Sequence, residues 1–572
     1  MLWLVQYQFI GYWGYGLPLE LNTILSRVTG EKKTKVVNFN GEKFIAGISY
    51  IGVEKAPLIG GQTLIASISA SGISNTIDAW IKIENNQLIL GREPFGRVPL
   101  YWLKIEKVIW FASKLKLLLP IISKSSISIP GFYGYTCFSY VPTPFTPVEN
   151  IFAVAAGTEK IFLEPEIQIQ RHYDWRENPR QIEEKNEAIR QLQILLKDAI
   201  YRQIIDLPSE PVGVFLSGGL DSSIVAALLV QAGIKVRAYT LDFGKNSFPE
   251  WEYAEKVAQH LEIPLVKLSV TPKLMKNALL DTVKALDLPF GDGVTVPLYL
   301  LCQTAAQEVS VIFNGEGGDQ LFAGWTNKPI IAAAVYNRQE NFIQQYLQTF
   351  HKLWGYEDKI FQSKIYEKVQ NISVEKWVEF ALDDTFCTGL IHKLRRASLI
   401  LKGAQNIHPR ATNLAFSNGL VVRSPFSDLA LAQWTFQVPG EFNLKGSNEK
   451  YILKKAVESW LPPEVVWREK RGMGVPLSYW CLNELWSEIR QWLNPEVLQA
   501  EGRFISDLAI TIIQGKLGGQ IRSRRVGEIL WLLMIWEIWR VTILGESTIN
   551  NSGYNPLLLP PWWWRWIEQV KN

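Results

Sequence analysis

Histidine, cysteine and methionine are scarce, with five, four and four among 572 residues. Cys137, Cys302, Cys387 and Cys481 lie far apart and form no C-x2-C pair, which argues against a structural zinc site or a dense disulfide framework and fits a reducing, cytoplasmic compartment. The histidines stand singly without an H-E-x-x-H, so metal chemistry resting on imidazole or thiolate is not expected. Neither sign of charge dominates: 59 Lys and Arg against 55 Asp and Glu leave a net +4, which gives no ground for a nucleic-acid or membrane partner. Long apolar runs are missing too. The nearest, residues 529–539, contains Glu537 and is about half of the roughly 20 apolar residues that a membrane span requires, so it reads as a buried helix. The opening MLWLVQYQFIGYWGYG has no basic flank and no small-residue cleavage site, and reads as a strand rather than a signal peptide.

The stretch that carries most information is 211–233, PVGVFLSGGLDSSIVAALLVQAG. Residues 212–216 are an apolar run of strand length, and 224–230 begin a helix that Gly233 closes. Between them, Gly218 and Gly219 allow a tight turn and close approach to a ligand. Ser217, Ser222, Ser223 and the free N–H groups of the helix start can donate to phosphate oxygens. A carboxylate beside a polyphosphate repels it unless a divalent cation lies between them, so Asp221 predicts Mg²⁺. Two familiar alternatives fail. A hydrolase elbow, Gly-x-Ser-x-Gly, would need glycine where Phe215 stands, and no Gly-Lys-Ser or Gly-Lys-Thr of a kinase-type phosphate loop occurs.

Turn residues between short β-rich runs, as in IDAWIKIENNQLILG (77–91) and VPLYWLKIEKVIWFAS (98–113), predict an antiparallel β-rich domain over 1–165. Residues 166–184 are polar and read as a linker, and 186–202 carry helical spacing. From 211 onward strand and helix patterns alternate, which predicts an α/β fold with a doubly wound parallel sheet and extra helices over 185–548. Its ligands would gather at the carboxyl ends of the strands. Residues 549–572 form an aromatic tail.

A second glycine loop, NGEGGDQLFAGW (314–325), follows the strand-like VSVIF, so Gly315, Glu316 and Asp319 are expected at the same edge as Asp221. Two aspartates from two strand ends can share one Mg²⁺ on a pyrophosphate, with phosphate oxygens and water completing its shell. A third segment, 462–480, places Arg468, Lys470 and Arg471 after a helix end.

These motifs together resemble the asparagine synthetase family, glutamine-dependent enzymes with an N-terminal glutaminase domain and a C-terminal ATP pyrophosphatase domain. SGGLDSS is similar to the family's ATP loop. REPFGRVPLYW (92–102), FASKLKLLL (111–119), Glu250 with WEYAEKVA, LPFGDGVTVP (288–297), RSPFSD (423–428), the helix with Lys450 and KRGMGVP (470–476) resemble further family blocks in the family's order. The resemblance implies an Ntn-hydrolase-like N-terminal domain and an ATP-dependent carbon–nitrogen ligase. ATP would lie on Ser217, Gly218, Gly219, Ser222, Ser223 and Gly315. It further implies Mg²⁺ on Asp221 and Asp319, Lys470 at the α phosphate and Glu316 as a base toward the amine. Its partners would be a small-molecule or peptide carboxylate and an amine or ammonia donor.

Three departures qualify the resemblance. Family glutaminases carry a nucleophilic cysteine directly after the initiator methionine, and here that residue is Leu2, with no cysteine before Cys137. The family's glutamine-holding blocks are not recognisable in 20–80, so the domain reads as degenerate and glutamine hydrolysis as lost. A usual glutamate is replaced by Gln320, and ungapped placement puts Thr412, Asn413 and Val421 where an Asp-Arg pair and a Glu are expected, near the acceptor. Altered acceptor residues beside intact ATP residues are also similar to the lasso-peptide macrolactam synthetases, which act on a ribosomal precursor peptide, and to β-lactam synthetase. A non-catalytic scaffold descended from such an enzyme is the third reading.

Overall fold

The computed structural model describes residues 2–15, 23–24, 35–40, 45–55, 59–60, 63–73, 76–84, 86–163, 166–178, 182, 184–207, 209–324, 342–517, 525–547 and 555–571. Its apolar opening is a strand, β1 (Leu2–Gly14). There follow β2 (Lys35–Asn40), β3 (Ile45–Lys55), β4 (Ile59–Gly60), β5 (Thr63–Ser69), β6 (Ala79–Glu84), β7 (Gln87–Arg92), β8 (Tyr101–Ile105) and β9 (Val108–Ala112). Alternation sets which face is inward: Ala79, Ile81 and Ile83 of β6 are fully buried. Both hairpins read from the sequence form, Glu84 pairing with Gln87 and Ile105 with Val108. One edge of β1 carries antiparallel β3; the other is divided between parallel β5 and antiparallel β9.

After helix α1 (Ile129–Phe138), strands β10 (Phe152–Ala153), β11 (Thr158–Leu163) and β12 (Glu166–Arg171) complete this sheet. The stretch 166–184, expected to be a linker, thus contributes an edge strand. Ile167 and Ile169 alternate with polar residues, and all six positions of β12 are exposed, which suits pairing on one side only.

The second half begins with α2 (Lys185–Ile204), whose N-terminus is capped by the Glu184 carboxylate. It continues through β13 (Val212–Phe215), α3 (Leu220–Gln231), β14 (Val236–Asp242), α4 (Trp251–His260), β15 (Leu265–Ser269), α5 (Pro272–Leu286), α6 (Thr295–Ala305), β16 (Val311–Phe313), α7 (His408–Ser417) and β17 (Val421–Arg423). All five strands are parallel, in the order β15-β14-β13-β16-β17. Strand order therefore reverses between β13 and β16, and the crevice of a doubly wound sheet opens there. The pattern does not announce β17, whose three residues are too few for a period, nor α5.

Helix α8 (Tyr451–Val457) is followed by α9 (Val526–Leu544) and α10 (Pro561–Lys571). Residues 529–539 do form part of a core helix: Trp531, Trp536 and Trp539 are fully buried, and Glu537 is paired with Arg540 at 2.8 Å. Among the described residues no helix is long and apolar enough to cross a membrane. The expected aromatic tail is helical in α10, because Trp564 packs on the core beside a buried Leu557.

The two halves share one core. Ile10, Tyr12, Leu103 and Trp110 of the β-rich half join Leu279 and Val283 of α5 and the α9 tryptophans in a single apolar cluster. Polar ties reinforce it. Arg423 is buried, an arrangement that costs several kcal/mol unless its donors are satisfied. They are satisfied by carbonyls from both halves, Ser71 at 3.1 Å, Asp206 at 3.3 Å and Gln203. Lys114, just past β9, donates to the Ala285 carbonyl at 2.7 Å and to Asn413 Oδ1 at 2.8 Å, and burial pushes its ammonium down to about 7.

Because the folded value for Lys114 lies below the unfolded one, the folded state binds the proton less readily, and stability is lost as pH falls from the ordinary lysine range toward 7. Lys114→Met removes this slope. The melting temperature of the variant, relative to the wild type, is expected to rise by roughly a few °C between pH 9.5 and pH 7 in thermal denaturation. A difference that does not change with pH would refute the assignment.

Candidate active site

The site grows from the ends of β13 and β16. Past Phe215 the chain turns through Ser217 and Gly218, and α3 starts at Leu220, so the first-turn N–H groups of α3 have no carbonyl behind them. Gly218 takes φ +70°, and a Cβ there would stand 2.6 Å from the Ala254 nitrogen and from Tyr253 Cβ on α4, so only glycine closes this turn. Arg468 holds the turn from outside, donating to the Gly218 carbonyl at 3.1 Å while pairing with Glu250 at 3.3 Å and stacking on Tyr253.

The second loop docks on the first. Asn314 Oδ1 accepts from the Glu316 N–H at 3.2 Å and the Ser424 hydroxyl at 2.7 Å, which fixes the loop to the end of β17. A Cβ on Gly315 would be 2.7 Å from the Ser222 nitrogen, and one on Gly318 would be 2.4 Å from Asp221 Cγ. Two loops that touch through glycines bring Asp221 and Asp319 together.

Two lysines meet these carboxylates. Lys450, at the start of α8, places Nζ at 2.6 and 2.5 Å from the two oxygens of Asp221 and 2.5 Å from Asp319 Oδ1. Lys470 Nζ lies 3.0 Å from Asp319 Oδ2, and the Lys470 N–H donates to Glu449 at 3.2 Å. Burial pushes Asp319 up, but Lys450 and Lys470 outweigh it and hold the carboxyl well below the usual range. For Asp221 burial prevails over Lys450 and raises the group. Burial opposes the charge on Lys470, yet Asp319 and Asp221 raise it, so its ammonium persists. Glu316 is raised, by burial first, against the pull of Arg410, whose Nη2 lies 3.8 Å away.

A cleft of about 220 Å³ opens above this cluster. Ser217, Gly219, Asp221, Ser222, Gly315, Glu316, Asp319 and Lys470 line it as expected. Gly218 and Ser223 do not: Gly218 only makes the turn, and Ser223, rotated about 100° onward along the helix, is fully buried with its hydroxyl donating to the Gly219 carbonyl at 2.8 Å. Nor do Thr412, Asn413 and Val421 reach the cleft. The α7 side presents Ile407, Ala411 and Leu414 instead, while Asn413 faces Lys114. Two groups that meet the cleft's carboxylates without lining it, Lys450 and Arg410, have no role assigned from the sequence. Lys450 has no local motif of its own. Arg410 precedes the ungapped placement of the expected arginine and is tied to Asp292 at 2.7 Å. A second hollow continues beyond Ser217 along the end of β14, between Phe248, Trp251, Leu298 and Met473.

The donor set fits a hard divalent cation: carboxylate oxygens of both aspartates converge on one positive charge, and Asp319 Oδ1 is buried without accepting a hydrogen bond. Among the described residues no cluster of three or more metal-binding side chains occurs, so phosphate oxygens and water would complete the shell.

The sequence profile of the asparagine synthase family matches residues 191–540, and that of a glutamine amidotransferase domain matches residues 77–173. The chain belongs to the asparagine synthase family. The family match spans both glycine loops, Lys450 and Lys470, and the chain is accordingly an ATP-dependent carbon–nitrogen ligase. It is 25% identical over 487 residues to the glutamine-hydrolyzing asparagine synthetase 1 of Bacillus subtilis, covering 80% of this chain and 76% of that one. To a putative asparagine synthetase of Mycobacterium bovis it is 22% identical over 566 residues, 89% of this chain and 81% of the relative. Asparagine synthetase B of Escherichia coli is 21% identical over 442 residues, 73% and 63% of the two chains.

The interlock of the glycine loops is testable. In Gly318→Ala the new methyl must displace the Asp221 carboxylate, at a cost of about 1–3 kcal/mol. The variant is expected to fold with a modestly lower Tm and to lack the upward shift expected of the wild type with ATP and Mg²⁺. A full nucleotide-dependent shift would contradict the interlock.

Proposed function

We propose that this member of the asparagine synthase family activates a carboxylate as its acyl-adenylate and transfers the acyl group to ammonia or an amine. The reading rests on one observation, the convergence of Asp221, Asp319, Lys470 and Glu316 on a single cleft at the sheet's switch point. The acceptor's carboxylate oxygen attacks the α phosphorus, the bond from that phosphorus to the bridging oxygen breaks, and pyrophosphate leaves. Lys470 neutralises charge that builds on the phosphoryl oxygens. Ser217, Ser222 and the N-terminus of α3 bind the departing pyrophosphate. Asp221 and Asp319 would hold a Mg²⁺ ion, which supplies further charge neutralisation there. The amine then attacks the acyl carbon, AMP leaves, and the surplus proton passes to Glu316, whose proton affinity burial raises.

In this reading the N-terminal half contributes no glutaminase. All four cysteines are free and buried, with burial pushing Cys302 and Cys481 up to about 12, Cys387 to about 11 and Cys137 well above its ordinary value. A thiolate nucleophile is therefore not at hand.

A second reading concerns the acceptor. Free aspartate needs separate partners for its α-ammonium and α-carboxylate, whereas Leu298, Cys302, Ile407, Ala411 and Leu414 make the far wall apolar and Arg410 is committed to Asp292. This favours a carboxylate carried on a peptide or other uncharged skeleton.

Exchange of labelled pyrophosphate into ATP tests the first step. It should depend on an added carboxylate and fall to background in Asp221→Ala; absence of exchange with free aspartate, an aspartyl peptide and an apolar acid alike would remove the reading. Glutamine should yield no glutamate above the rate without protein, whereas steady release would restore a glutaminase.

A further inference from the structure

Lys450 is built into the site at some conformational cost. Its backbone adopts φ +54°, a left-handed conformation uncommon for lysine, at the mouth of α8. The side chain, 3% exposed, threads past Gly324, where a Cβ would stand 1.9 Å from Lys450 Cε and 2.8 Å from Nζ. Only glycine at 324 leaves that corridor open. At its end, the ammonium lies within 2.6 Å of both Asp221 oxygens and 2.5 Å from Asp319 Oδ1, so nothing else can occupy the point between the carboxylates while the lysine is there. Asp319 Oδ1 gains the charge but no directed hydrogen bond.

Charge accounting gives the arrangement its meaning. Two carboxylates, Asp221 and Asp319, stand against two ammoniums, Lys450 and Lys470, while Glu316 beside them stands against Arg410, so opposite charges match in number. A free divalent cation would unbalance a mostly buried site, which is unfavourable in a low dielectric. A cation that arrives with a polyphosphate brings its own negative charge, and the displaced ammonium then finds phosphate oxygens to pair with.

We propose that Lys450 is a resident counter-cation, holding the point between Asp221 and Asp319 in the ligand-free protein and yielding it only to a divalent cation that enters together with a polyphosphate. The inference rests on the reading of this cleft as the nucleotide site. It makes the carboxylate pair blind to free Mg²⁺ and makes metal and nucleotide load as one unit. When pyrophosphate leaves, Lys450 returns and closes the site to stray cations.

The test is a titration of Mn²⁺, followed by its electron paramagnetic resonance signal, on the full chain. Wild type is expected to bind no Mn²⁺ alone and one ion in the presence of α,β-methylene-ATP. Lys450→Met should gain one site for Mn²⁺ without nucleotide, and its Tm should rise with Mn²⁺ alone. Adding Asp319→Asn should abolish that binding. If Lys450→Met does not fold, Lys450→Gln, which keeps a donor toward Asp221, takes its place. Binding of Mn²⁺ alone to wild type that disappears in Asp221→Asn overturns the proposal, as does a folded Lys450 variant that gains no site. Because neither titration uses the acceptor, failure of the ligase reading would show separately, as missing pyrophosphate exchange in the wild type.

Discussion

Two aspartates face each other across the switch point of a parallel sheet, and the structure around them is arranged to make that tolerable. Like charges brought together in a shielded place repel strongly and would force one carboxyl to take up a proton. Here Lys450 and Lys470 stand against them instead, each delivered by a segment remote in sequence from both glycine loops. Much local structure serves this foursome. Glycines at 315 and 318 let the loops touch, Gly324 makes room for a lysine stem, and Asn314 pins the second loop to the last strand of the sheet. Removing any one of these leaves charges in the wrong place rather than merely loosening a contact.

The anionic loops were legible in the sequence because the chemistry is local. A glycine turn between a strand and a helix start has few alternatives, and Asp221 within it points to a cation. Lys470 was reached only through resemblance, and Lys450 received no role at all, because a lysine in a helical stretch carries no signal until its partners are known. Ser223 shows the opposite case. Its place beside Ser222 suggests the same duty, but one step along a helix turns a side chain away, and its hydroxyl bonds within the helix. The acceptor side was misplaced for a similar reason. Counting back from RSPFSD without gaps selects Thr412 and Asn413, while the face that meets the cleft is spaced as a helix requires, through Ile407, Ala411 and Leu414.

At the level of the fold, alternating patterns were sufficient for most of the parallel sheet and for the β hairpins. What escaped was short or ambiguous: a three-residue strand, β17, and an exposed strand, β12, whose polar residues also suit a connection. Neither can be told from loop by composition, since their assignment depends on the neighbour each pairs with. Helix α9 shows the converse. Its all-round apolar character, which in isolation is compatible with lipid, is explained by protein on every side, including indole N–H groups donating to the carbonyls of Asp287 and Asp292.

The common core of the two halves has a bearing on how such a chain can change over time. Ile10, Tyr12, Leu103 and Trp110 are as much a wall of the ligase as of the β-rich half, and Arg423 ties Ser71 to the last strand of the parallel sheet. Under these conditions the β-rich half cannot be discarded whatever chemistry it performs, because its removal would strip the catalytic half of apolar cover and strand a buried cation. The ligase therefore constrains the inner surface of that half, while its outer surface is the freer to drift.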